Sequence, residues 1–95
     1  MVNVENVKIG EHHFQYVSMN LGNAPLLILK GEHGYVMCGY LSLETAEKLG
    51  DMAIRVTGVK DLDSLLGAVV SGRTTKASEL GIGVGDKVSS IIEFL

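Results

Sequence analysis

GYVMCGYLSLETAEKLGDMAIRVTG, residues 34–58, is the stretch around which the rest of the chain must be fitted. Residues 35–41 are almost wholly apolar and hold the only cysteine, Cys38, which predicts a buried strand running directly into a helix. Ser42 is the natural N-cap, because its hydroxyl can accept from the free N–H groups of the first turn, and Glu44 and Glu47 suit the positive end of a helix dipole. At about 100° per residue, Leu43, Ala46, Gly50, Ala53, Ile54 and Thr57 share one stripe, which Leu49, Met52 and Val56 widen. Glu44, Glu47, Lys48, Asp51 and Arg55 fall on the opposite side. The helix is therefore expected to continue to Thr57, with Gly58 as its left-handed terminator and Val59 as the apolar contact beyond. Its small centre (Ala46, Gly50, Ala53) implies a close approach, which we assign to the sheet.

The totals bound the answer. Ninety-five residues make one domain with one core. Hydrophobic residues supply 46% of the chain before its 12 glycines are counted, whereas about 45–50% is usual with glycine included. Charged residues fall to 20%. In so small a domain, that excess implies apolar area hidden against another subunit, and a homo-oligomer, a dimer above all, is expected. A net charge of −3 with singly scattered Lys and Arg argues against nucleic acid as a partner. One cysteine excludes an intrachain disulfide and suits a reducing compartment. The first residues alternate polar and apolar, and no apolar run approaches the ~18 residues of a membrane span. A cytoplasmic protein without membrane association is expected.

Taken in order, residues 2–9 and 13–19 read as a β-hairpin closed by Gly10 and Glu11. Gly22, Asn23 and Pro25, the only proline, mark a turn into the unalternating run at residues 26–30, a strand covered on both faces. The segment 31–34 connects it to the strand at 35–41. Beyond the long helix, Asp61 caps a short turn closed by Gly67, and residues 68–73 read as a fifth strand. Thr75 is expected to cap a short helix ended by Gly81, and Asp86 to cap a last helix with Val88, Ile91, Ile92 and Leu95 on one side. The order β-β-β-β-α-β-α-α indicates an α+β domain: a mixed, mostly antiparallel sheet with the helices packed on one face.

Residues 25–66 and 68–88 together resemble the YunC-like family, small bacterial and archaeal proteins catalogued as a domain of unknown function. The best part of the likeness is GYVMCGYL at residues 34–41, joined to the segment ending Val56, Thr57, Gly58 and Val59. It spans residues 5–95 and implies that 1–95 is one compact YunC-like α+β domain. It brings no reaction and no catalytic residues. At positions 85 and 86 the chain reads Gly-Asp where the family's usual pair is Gly-Met, a departure that bears on the cap of the final helix.

Cys38 is the one candidate for chemistry. Its place just before Ser42 could bring the thiol close to a helix start, the setting that activates nucleophilic cysteines. Inert packing is the stronger reading, because unpaired cysteine is among the most buried residue types. His12, His13 and His33 are ligand types, but their spacing matches no metal pattern, and adjacent residues on a strand face opposite ways. No metal and no cofactor are expected. Gly81, Gly83 and Gly85 satisfy neither phosphate-loop pattern, and Asp86 would repel phosphate there. Two function classes remain open. The first is a non-catalytic oligomeric or interaction module; the second is a small-molecule-binding protein or enzyme using Cys38 at the strand-to-helix junction. A deep pocket beside Cys38 would favour the second, and a flat apolar sheet face the first.

Overall fold

The computed structural model describes residues 2–95. Six strands form one sheet in sequence order: β1 (Val2–Ile9), β2 (His12–Asn20), β3 (Pro25–Lys30), β4 (Tyr35–Met37), β5 (Ala53–Arg55) and β6 (Gly72–Arg73). Neighbours are antiparallel except β4 and β5, which run parallel, with Val36 beside Ile54. The helices are α1 (Leu43–Leu49), α2 (Leu62–Gly67), α3 (Thr75–Glu79) and α4 (Val88–Ile91), the last running into a 3-10 turn, Ile92–Phe94. The α+β class and the mixed, mostly antiparallel sheet are those expected from the sequence.

The long helix is where sequence and structure part. Ser42 does cap α1, its hydroxyl accepting from the Thr45 N–H at 3.1 Å. The helix nevertheless ends at Leu49, because Gly50 adopts a left-handed conformation with φ +77° and its N–H closes onto Ala46 and Glu47. Residues 53–55, expected on the helix, are instead β5. Alanine, isoleucine and valine pattern alike in a short apolar run whatever its backbone, so periodicity alone could not separate the two. Gly58 accordingly follows a strand, and the expected fifth strand at 68–73 shrinks to β6, preceded by a single bridge between Val69 and Lys87.

Helices cover both faces of the sheet, not one. On the inner face, Phe14, Tyr16, Leu27, Leu29, Val36 and Ile54 pack with Leu65 of α2, Ala77 of α3, and Val88 and Ile91 of α4. On the outer face, Met37 and Ala53 pack with Ala46 of α1, joined by Tyr35, Leu41 and Leu43. The reason follows from the early end of α1: a seven-residue helix between two adjacent parallel strands covers only those strands. The outer face over β1, β2 and β3 is left without a helix.

Two further caps differ in origin from those expected. Asp61 caps α2 as foreseen, in a reciprocal pair with Ser64. Thr74, not Thr75, is the N-cap of α3 and makes no side-chain cap; the carboxylate of Glu47 in α1 accepts from both the N–H and the hydroxyl of Thr75, at 2.9 and 2.6 Å. These bonds hold the Glu47 carboxyl below its ordinary range. Asp86 does not cap α4, whose N-cap is Lys87; its carboxylate accepts from the Gly83 N–H at 2.8 Å and closes the preceding turn. No described helix is long and apolar enough to cross a membrane.

Candidate functional site

Cys38 stands one residue past β4, where β3 and β4 separate. Its N–H still donates to the Leu27 carbonyl at 3.2 Å, but its own carbonyl is taken by the Leu41 N–H, also at 3.2 Å, as the chain turns toward α1. The Leu27 N–H therefore loses the carbonyl that a continuing ladder would offer, and donates to the Cys38 sulfur at 3.4 Å. The side chain is 3% exposed and belongs to the inner core. These contacts give the thiol a structural task. They bring no base or oxyanion donor to it.

A cavity of about 450 Å³ nevertheless opens beside it, at the carboxyl ends of the parallel strands β4 and β5. One wall is the loop after β4, with Gly39 and Tyr40; another is the loop after β5, with Thr57, Gly58, Val59 and Lys60. Asn23, Ala24 and Pro25, entering β3, close the third side. Tyr40, set in this loop and not on the strand, ties two walls together by donating to the Ala24 carbonyl at 3.2 Å. In the sequence Asn23 and Pro25 mark a turn and Gly58 a helix stop, and nothing local says that the two segments meet.

The three histidines come together elsewhere. His12, His13 and His33 line a second cavity of about 750 Å³, with Glu11, Glu32 and Glu93 on its walls. The two adjacent histidines do face opposite ways, since His12 lies opposite Ile9 and His13 opposite Lys8 in the hairpin register. His33 sits in the β3–β4 turn, 4.0 Å from the Glu32 carboxylate. Among the described residues no group of three His, Cys, Asp or Glu side chains is placed to hold a metal ion. Cys38 is not part of this cluster.

Two polar links fix the surroundings of α1 and β5. The buried Thr74 hydroxyl accepts from the Ala53 N–H at 3.1 Å, and Tyr35 donates to Asp51 at 2.7 Å. Burial first, and then the bond to Asp51, push the Tyr35 phenol up to about 12. Both links join residues at least 16 apart in sequence, beyond the reach of any local pattern.

Comparison with known proteins agrees with this architecture. Residues 37–95 match the model of a domain of unknown function, DUF1805. The uncharacterized protein YunC of Bacillus subtilis (strain 168) is 35% identical over 89 residues, covering 90% of this chain and 88% of the relative. A crystal structure of a protein of unknown function from Thermoplasma acidophilum superposes with a TM-score of 0.96 at 45% identity, over 100% of this chain and 93% of that one. The fold, the register of the apolar core and these likenesses converge: the chain belongs to the YunC-like family of domains of unknown function.

Proposed function

We propose that this protein is a non-catalytic interaction module that works as a homodimer, through the outer face of β1, β2 and β3. The observation that carries this reading is the bare apolar patch left where α1 stops. Val4 lies opposite Val17 and Val2 opposite Met19, while Ile28, opposite Val17, continues the patch on β3. Val2 and Val4 are 55% and 59% exposed, and the other three are half-buried. An exposed apolar sheet face of this kind is costly to leave in water, and a two-fold axis lets one such face cover another. The high apolar content of the chain points the same way.

Light scattering behind a sizing column at micromolar protein tests it. The expected mass is twice 10.1 kDa, and Val4→Lys, at an exposed site, should return the protein to the monomer without loss of fold. A wild-type mass of 10.1 kDa would reject the dimer. A second reading, a small-molecule-binding protein with its site at the strand-to-helix junction around Cys38, is favoured by one observation: the cavity at the ends of β4 and β5.

A further inference from the structure

We propose that the cavity at the carboxyl ends of β4 and β5 binds a small organic anion, a carboxylate carried on an apolar or aromatic body; this rests on the second reading above and deepens it. Position is the first ground. In open sheets with parallel strands, ligands bind in the crevice outside the strand carboxyl ends, where successive loops diverge and leave backbone groups unspent. This chain has one parallel pair among its described strands, and the cavity lies at its carboxyl end. Its volume, about 450 Å³, falls within the range of small-molecule sites.

The chemistry of the walls selects the charge. Ala24, Pro25, Val59 and the ring of Tyr40 supply apolar surface, Asn23, Thr57 and Lys60 supply donors, and no Asp or Glu lines the cavity. The Lys60 ammonium forms no ion pair among the described residues. Its neighbour Asp61 is committed to the start of α2, where its carboxylate accepts from the Ser64 N–H at 2.8 Å. The backbone N–H groups of Gly39, Thr57 and Gly58 meet no backbone carbonyl of the described residues. A cation and spare donors with no lining carboxylate favour an anion, and an apolar surround strengthens such bonds by excluding water. The larger cavity has the opposite character, with Glu11, Glu32 and Glu93 on its walls. The Cys38 sulfur takes no part, since Leu27 already holds it.

Titration of the ¹⁵N-labelled protein with benzoate, and separately with its neutral isostere benzamide, tests both the site and the charge. Benzoate should shift the amide signals of Gly39, Thr57, Gly58 and Lys60 and bind about tenfold more tightly than benzamide, the value of one charge-assisted bond. Lys60→Met, at an exposed position, should bring the two affinities level while leaving the melting temperature unchanged. Equal binding of the two probes at these residues would overturn the anion assignment and leave the cavity a ligand site. Shifts confined to other parts of the molecule, or none from either probe, would overturn both.

Discussion

The backbone N–H of Leu27 donates to the sulfur of Cys38 across 3.4 Å, at the point where the β3–β4 ladder ends. A buried N–H without an acceptor costs about 1–3 kcal/mol. Cys38→Ala leaves Leu27 in that state, whereas Cys38→Ser keeps an acceptor on the same atom position. The alanine variant should therefore unfold at lower denaturant concentration than the serine variant. Equal midpoints, or the reverse order, would show that the contact contributes nothing.

The same burial governs reactivity. With Cys38 at 3% exposure, attack by a disulfide reagent needs the β3–β4 junction to open first. Native-state labelling at neutral pH should be much slower than that of free cysteine, and labelling in denaturant should match it. A native rate equal to that of the free thiol would return Cys38 to the front as a nucleophile.

Much of this molecule is legible in its sequence, and the illegible parts share a cause. The first hairpin and the caps at Ser42 and Asp61 follow from the strand pattern, turn residues and local side-chain chemistry, and β3 from its unbroken apolar run, although its outer face is only half-buried and not covered as that run implied. Gly50 misleads because a small apolar stripe through Ala46, Gly50 and Ala53 reads equally well as one helix face or as a helix stop followed by a strand. The packing that decides between them is non-local: Ala53 lies beside Tyr35 in the parallel ladder and donates to Thr74. The cavity beside Cys38 is hidden for the same reason, being made of three turns from different parts of the chain.

Gly50 now supports a sharper expectation than a helix-interior glycine would. A Cβ added there meets only the Lys76 ammonium, at 3.9 Å, so the cost of substitution lies in the backbone at φ +77°. Gly50→Ala and Gly50→Leu should each cost about 1–2 kcal/mol, and by similar amounts. Lys48→Leu, with its side chain 76% exposed, should stay within about 0.5 kcal/mol. A leucine penalty far above that of alanine would mean that the site is crowded after all.

Gly34 presents the opposite case. Its φ is ordinary, but a Cβ there would lie 2.5 Å from the Met52 carbonyl oxygen and 2.8 Å from the Met52 sulfur. The backbone of β5's approach cannot yield without breaking the bond from the Tyr35 N–H to that same carbonyl. Gly34→Ala should cost about 1–3 kcal/mol. Gly67, at the end of α2 with nothing within 4 Å of its added Cβ, should accept alanine neutrally or gain up to about 1 kcal/mol. Thermal melts of the two variants check the opposite signs, and two equal shifts would refute the close approach.

Tyr35 makes the fold sensitive to alkali. Its hydroxyl donates to the Asp51 carboxylate at 2.7 Å, and burial followed by that bond raises the phenol to about 12, against about 10 in an unfolded chain. The folded state holds the proton more tightly than the unfolded one, so the stabilisation is complete below pH ~10 and is lost as pH rises toward ~12. Tyr35→Phe removes both the bond and the titration. The stability difference between wild type and Tyr35→Phe should therefore be constant from neutral pH to about 9 and shrink steadily above about 10. Urea unfolding at a series of pH values reads this directly, with each midpoint compared at matched ionic strength. A difference that stays level through pH ~11.5 would show that the folded-state phenol titrates no later than the unfolded one, and that the Asp51 bond does not hold its proton.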